Sequence, residues 1–371
     1  MCCIGVHHVV CVDMCVYVWV WCEQLPVYEA KWSLVAYSDG VFDMSTGQLH
    51  PLHSFDAAVS GYCAKRMSTS FPKTFQLPRT IGILAAQGYG LYAVLVLFAF
   101  LGRMLFPLGS RDNWIQLLFL LGRTQTGKTT LYRMLTEGCM EPSTVRSLPS
   151  DPRYPLGSLF SPPGARMWSN GDTLMSEFLK YVSEEMLLKL IDGSSQAYWR
   201  KNNAALELRN TLPGMLVSNR HAGDAAGDAG GSMSVRIVYF PFFRPVSDSH
   251  KDTTLVARML SEEAPVFLVV CSTLYRALTI AVGSQNITCW YPSIVAKVKA
   301  EVQEGLHGFI RWLNANTTQV RGKQRVCIIA CRCASVCVSE RVHRMVYVCV
   351  RVIRVSRSCS CPMPSMRIRS M

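Results

Sequence analysis

The chain has 371 residues, half of them hydrophobic, which suffices for one large domain or two ordinary ones and places a sizeable core within reach. Its 38 Lys+Arg against 25 Asp+Glu leave a formal charge of +13, which favours a polyanionic partner such as nucleic acid or an acidic membrane surface. Of 16 cysteines, five precede Gln24, seven follow Arg325 and four are spread between, so the middle is not a disulfide scaffold and reads as intracellular and reduced.

The first residues, MCCIGVHHVVCVDMCVYVWVWC, are apolar but have no basic leader and are interrupted by Asp13, so a signal peptide is not expected. Residues 1–32 are left unassigned. Leu34 to Tyr37 is a β-type run, Asp39-Gly40 a turn, and a second run ends before Ser45-Thr46-Gly47: a small β-hairpin opens a lead-in region over 33–110. No charge occurs from Thr80 to Gly102, a stretch long enough to cross a bilayer. Its glycines and Gln87 make a mediocre span, and the expectation is a helix buried among other helices.

A second region, 111–285, alternates strands with helices. Ile115 to Leu121 predicts a buried strand, a glycine turn follows, and Thr129 to Glu137 predicts a helix stopped near Gly138. GARMWS, PGMLVSN and VRIVYFPF predict three more strands. Leu174 to Ile191 has helical spacing, with Phe178, Tyr181, Val182, Leu187, Leu188 and Ile191 on the apolar side. Such alternation favours an α/β domain with a mainly parallel sheet, whose ligands bind beyond the carboxyl ends of the strands.

Gly122, Gly127, Lys128 and Thr129 complete the pattern G-x-x-x-x-G-K-T at one such end. Glycines let backbone N–H groups curl around phosphate oxygens, and the following helix presents its positive end to the same anion. The segment Gly122, Arg123, Thr124, Gln125, Thr126, Gly127, Lys128, Thr129, Thr130 is therefore the expected ATP cradle. Lys128 neutralises the β/γ phosphates there and Thr129 ligates Mg²⁺.

Hydrolysis needs an acid near the end of a neighbouring strand. Asp172, after ARMWSNG, is the candidate for Mg²⁺ and water, with Glu177 in reserve. Asn219, at the end of PGMLVSN, is placed to orient the attacking water. Arg236 opens VRIVYFPF after a Gly/Ala/Asp-rich loop and is placed either as solvated surface or to reach a neighbouring subunit's γ-phosphate, with Arg220 and Arg244 nearby as competitors for that role. Between Asp172 and Asn219 a turn carries Tyr198, Trp199, Arg200 and Lys201, side chains that suit stacked bases and a phosphate backbone; a hairpin with a core Trp and two solvated cations is the competing reading. Cys327, Cys331, Cys333 and Cys337 lack the spacing of zinc knuckles, so no metal is expected in the 286–371 tail.

Taken in order, these pieces resemble a superfamily 3 helicase, in particular the helicase part of poxvirus-type primase-helicases of large DNA viruses, phages and related mobile elements. Lys128, Asp172 and Asn219 are separated by 44 and 47 residues, similar to that family's compact spacing. LLKLIDGSSQAYWRKNN resembles its motif B′, LPGMLVSN its motif C, GRMLFPLGSRDNW its lead-in, VAYSDGVFDMSTGQL its upstream start and LVARMLSEEAPVFL the segment after its core.

The resemblance runs from about Ser33 to about Ala281. It implies an AAA+-like P-loop ATPase core, preceded by a small β/helical region, that forms a homo-oligomeric, hexameric ring and moves along single-stranded DNA in the replication of a virus or mobile element. Catalysis would use Lys128, Asp172 and Asn219 with Arg236 from the next subunit; Arg200 and Lys201 would contact DNA, and membrane insertion is not expected. Two departures accompany it: the strand before Asp172 lacks an acidic pair, and no primase-like segment precedes Ser33, so primer synthesis is not expected. The alternative is a nucleotide-binding assembly module, or a decayed helicase, without unwinding.

Overall fold

In the computed structural model, residues 30–55, 62–149, 153–160, 164–170, 175–198, 206–219, 232–247 and 251–306 are described. Leu34 and Val35 are buried while Lys31 stays exposed, and Asp39-Gly40 reverses the chain, so β1 (Ala30–Ala36) pairs antiparallel with β2 (Gly40–Asp43) as the turn signal implied. The Asp43 carboxylate accepts from the Ser45 N–H at 2.7 Å and the Ser45 hydroxyl at 2.9 Å, closing the turn into β3 (Gln48–Pro51). β4 (Tyr62–Arg66) joins β1 in parallel, which completes a four-stranded sheet ordered β3-β2-β1-β4.

Pro78 sits at the start of α1 (Pro78–Ala86), where its missing N–H costs nothing. Gly88, at φ +82°, then turns the chain into α2 (Leu91–Arg103), and the two helices meet at 117°. The uncharged stretch is thus two short helices instead of one rod, and α2 is apolar all round because protein covers every face but the edge near Leu95.

Six consecutive apolar or glycine residues, all buried, form β5 (Leu117–Gly122). After the glycine loop comes α3 (Lys128–Arg133), which continues as π-helical turns over Met134–Cys139 and so ends one residue past Gly138, close to the expected stop. Two three-residue strands follow, β6 (Val145–Ser147) and β7 (Met167–Ser169).

The expected helix from 174 to 191 is two helices, α4 (Met175–Tyr181) and α5 (Glu184–Asp192). Ser183 causes the break: its hydroxyl accepts from the Met186 N–H at 3.2 Å, an N-cap that starts a new helix, and Gly193 at φ +67° ends it. β8 (Ser195–Tyr198) and β9 (Leu206–Arg209) form an antiparallel hairpin. Then come β10 (Gly214–Ser218), the short α6 (Ser232–Arg236) and β11 (Ile237–Phe242). Arg236 is therefore the last residue of a helical turn, not the first of a strand.

α7 (Leu255–Arg258) passes through π turns into α8 (Ala264–Val282), and α9 (Ser293–Leu306) closes the described chain. This last helix lies beyond the expected domain end at 285, yet Val298 and Val302 bury in the same core as β5 and β11.

The central sheet is five-stranded and all parallel, in the order β11-β5-β10-β7-β6. Period-two alternation along β5 sends Leu118 and Leu120 to one face, with α2 and α8, and Leu117, Phe119 and Leu121 to the other, with α4, α5 and α9. Both faces of β5 are covered, so its whole length is apolar apart from the closing glycine. The helical run Leu255–Val282 is long and apolar enough to cross a bilayer, but 72% of its apolar window is buried in this core.

α2 and α8 pack backbone against backbone at Gly102, where an added Cβ would stand 2.0 Å from the Cys271 carbonyl oxygen. Gly102→Ala is expected to force the two helices apart and cost about 1–3 kcal/mol. Urea denaturation reads this as a lower midpoint at unchanged slope, and an unshifted midpoint would show that the helices part freely.

Candidate nucleotide site at the glycine loop

Numbering does not follow space in the sheet, and that creates the site. From β5 the chain leaves toward β6 at the far edge; from the adjacent β10 it leaves the other way, past β5 to β11. Connections that diverge from neighbouring strands open a crevice at their carboxyl ends. The glycine loop occupies that crevice from the β5 side and Asn219 from the tip of β10.

Two glycines make the loop possible. An added Cβ on Gly122 would fall 1.8 Å from the Phe242 carbonyl oxygen, because the loop is pinned to β11 by the Arg123 N–H donating to that same oxygen at 3.0 Å. Gly127, at φ +92°, turns the backbone into α3, and a side chain there would strike Ile83 at 2.5 Å. Gln125 also takes a positive φ of 60°, its carbonyl held by the Val246 N–H at 2.9 Å. The Thr126 hydroxyl donates to the Arg123 carbonyl at 2.8 Å and fixes the loop's width.

Lys128 is only 4% exposed. Its ammonium donates to the Gly122 carbonyl at 2.8 Å, to the Arg123 carbonyl and to the Asn219 side-chain oxygen at 2.9 Å, with the Thr126 hydroxyl at 3.4 Å. Two residues 91 apart in sequence thus meet through their functional groups. At the loop's mouth Arg123, Thr124, Gln125 and Thr129 are exposed, while Thr130 is half-buried. The first N–H groups of a helix have no carbonyl of their own turn to bond, so those of α3 face the crevice available for an anion.

The neighbouring strand tip is locked by side chains that the sequence pattern did not single out. Asn170 is wholly buried; its amide donates to the Val217 carbonyl at 3.0 Å and accepts from the Val217 N–H at 2.9 Å, extending the β7–β10 pairing beyond the last backbone bond. Tyr132, on α3, shares a 2.8 Å hydrogen bond with the Ser169 hydroxyl at the tip of β7. Asn170 was legible only as part of an ordinary Asn-Gly turn, since nothing in sequence separates a clasp from a turn residue.

Asp172, Arg200 and Lys201 lie outside the described residues, as does Arg220. Glu177 is exposed in the first turn of α4. The hairpin that carries positions 200 and 201 is formed, with its root secured by the Asn210 amide donating to the Leu190 carbonyl at 2.9 Å. Arg236 is paired with Asp192 at 3.1 Å and donates to the Ser232 carbonyl at 3.1 Å. In the β5–β11 register it stands one residue before Ile237, which lies opposite Leu117, so about 20 Å of strand separates it from Gly122. It is not part of its own chain's crevice.

Beside the loop lies a cleft of about 280 Å³. Ile83, Ala86, Val246 and Leu255 supply its apolar wall; Lys251, Asp252 and Thr253 supply its polar rim. Gln87 also lines it, but its amide is engaged in both directions by the Arg244 backbone, at 2.6 and 2.9 Å. No group of three or more His, Cys, Asp or Glu side chains able to hold a metal occurs among the described residues.

No family model matches the chain, and no curated protein does. Among solved structures it is similar to the A form of the apo NrS-1 C-terminal region, at 10% identity and a TM-score of 0.44, over 86% of this chain and 87% of that one. It is also similar to JCV helicase with a bound small molecule, at 13% identity and a TM-score of 0.34, over 65% of this chain and 61% of that one.

Proposed function

We propose that the chain is an AAA+-like P-loop ATPase of superfamily 3 type that binds ATP at Gly122–Thr129, hydrolyses it and moves along single-stranded DNA as a ring of identical subunits, in the replication of a virus or mobile element. The observation that carries this reading is the 2.9 Å contact between the Lys128 ammonium and the Asn219 side chain at the divergence of β5 and β10. A cation and a neutral amide, brought together from two strand tips, suit a transferred phosphoryl group and the water that attacks it.

In this reading the apolar cleft beside Gln125 takes the nucleobase and the loop takes the phosphates. Lys128 exchanges carbonyl partners for β/γ-phosphate oxygens, and Asn219 orients the water. Thr129 fits a magnesium role, since its hydroxyl is exposed at the first turn of α3 beside Lys128; Asp172 is the proposed second ligand. Bound Mg²⁺ supplies positive charge against the phosphate oxygens. Arg236 serves a neighbour's site only by giving up Asp192, which makes it a weaker assignment than Asn219. The β8–β9 hairpin, with Arg200 and Lys201 between its strands, is the proposed DNA contact.

Hydrolysis by the full chain, measured with and without single-stranded DNA, tests the proposal. Turnover should rise when DNA is added; turnover indifferent to DNA would leave a nucleotide-binding assembly module instead of a translocase. Asn219→Ala is expected to keep nucleotide affinity within about threefold while kcat drops on the order of a hundredfold, because the amide acts on the reacting water and not on the bound ground state. Unchanged kcat would remove Asn219 from the reaction.

A further inference from the structure

At the end of the sheet opposite the glycine loop, the segment before β5 meets the β2–β3 turn and the second half of α8. Two arginines converge there. Arg111 is exposed, lies 5.2 Å over the Phe106 ring and donates to the Ser45 carbonyl. Arg276, half-buried on α8, is tucked under the turn so closely that a Cβ on Gly47 would fall 1.9 Å from its Nη1. That nitrogen is buried with no hydrogen-bond partner among the described residues.

The acids nearby are already engaged. Asp112 binds Arg103 at 2.8 Å and also accepts from Tyr275, and Asp43 accepts from the Ser45 N–H and hydroxyl. Neither Arg111 nor Arg276 has an ion pair among the described residues. Burial and then the nearness of Arg111 lower the Arg276 pKa, with Asp43 opposing. A guanidinium does not shed its proton near neutrality, so two of them held together with spare donors suit an anion rich in acceptor oxygens.

Space and surroundings indicate which anion. Arg111 lines an open cleft of about 430 Å³ that reaches Thr279, one turn beyond Arg276 on α8; Gly109, Ser110, Asn113 and Gly283 line it together with Trp114 and with Asp112, whose carboxylate is taken by Arg103. That lining is mainly polar, and Trp114, its one aromatic, is largely buried, so it suits a phosphate better than a nucleobase. The same segment is joined to the root of the β8–β9 hairpin by the Leu108 N–H donating to the Thr211 carbonyl at 2.8 Å. We propose that Arg111 and Arg276 together hold one phosphate of a single-stranded nucleic acid, continuing the strand's path from the hairpin toward the end of the sheet remote from ATP. The choice of nucleic acid as the phosphate's source rests on the translocase reading above; the arginine pair does not.

The test is oligonucleotide binding by the full chain as a function of salt. Arg111→Gln/Arg276→Gln is expected to weaken binding severalfold and to reduce the slope of log affinity against log salt by about 0.7, the value for one phosphate contact on a single strand. Nucleotide binding at the glycine loop should not change. Arg111→Lys/Arg276→Lys keeps the charges and should keep most of the slope, and Arg111→Gln alone, on the exposed side, serves if the double variant misfolds. An unaltered slope in the glutamine variants overturns the proposal. If the parent chain binds no oligonucleotide, the translocase reading fails separately, and pyrophosphate is titrated into Lys128→Ala protein with and without the two arginines. Arginine-dependent pyrophosphate binding then supports the pair with a free phosphate as its ligand, and its absence overturns it.

Discussion

Lys128→Ala should reduce ATP hydrolysis by at least about a thousandfold, to the background of the assay. The lysine is nearly inaccessible, and its ammonium is the point on which two loop carbonyls, a hydroxyl and the Asn219 amide oxygen converge. Truncation leaves those acceptors facing one another without a donor, so the loop loses both its charge and the centre that holds its curvature. Lys128→Arg is expected to fail almost as badly, because a planar fork cannot serve acceptors that surround a single point. Fluorescent-nucleotide binding distinguishes the two losses: affinity should fall along with turnover. Parent-like turnover in Lys128→Ala would sink the assignment of the loop to ATP.

The second large effect is on folding. Arg103, at the end of α2, is buried, and its guanidinium donates to both Asp112 oxygens at 2.8 and 3.1 Å and to the carbonyls of Gln116 and Trp114 at 2.7 and 2.6 Å. Asp112 accepts in addition from the Trp114 N–H at 2.8 Å and from the Tyr275 hydroxyl on α8. Burial by itself lowers the Arg103 pKa, yet Asp112 more than offsets it and the net shift is upward; burial and then the Asp112 charge push the Tyr275 hydroxyl up.

Asp112→Ala strands that cation in the core and is expected to cost about 3–5 kcal/mol. Arg103→Met/Asp112→Asn should cost clearly less than the sum of its single variants, since removing both partners leaves no uncompensated charge. Thermal and urea denaturation check both statements, and strict additivity would show that the pair does not act as a unit.

What could be read from sequence follows from how locally each feature is determined. The strand–glycine loop–helix unit was legible because β5 is buried on both faces, which demands an unbroken apolar run, and because phosphate-type loops need glycine at fixed places. Asn219 was legible as a residue at a strand tip, though not its contact with Lys128, which depends on strand order. β6 has three residues, too few to show a period, whereas the equally short β7 lies within the predicted GARMWS run.

The α4–α5 break was readable in retrospect, since Ser183-Glu184-Glu185 is an N-cap followed by first-turn acids. α9 was equally readable from Val295, Val298 and Val302 at helical spacing, and lay outside the stretch covered by the resemblance. Arg236 was expected at a strand start because a β-type run follows it directly, whereas its own turn is helical and pairs it with Asp192. The Arg103–Asp112 pair was invisible as a pair: nine residues apart, it forms only once α2 and the strand lead-in fold together.

The Asn170 clasp has a bearing on how the protein ages. Asn170 precedes Gly171, and an Asn-Gly step is the one most open to deamidation, in which the following backbone nitrogen attacks the side-chain amide. In the folded chain that amide is buried and tied at both atoms to Val217. Native packing therefore shields a chemically fragile bond, and unfolding exposes it. An aspartate or isoaspartate formed there would set a carboxylate oxygen against the Val217 carbonyl, where the amide had donated, and loosen the strand tip that presents Asn219 to the lysine. Peptide mass spectrometry on aged samples, folded and denatured, should find the conversion concentrated in the denatured one.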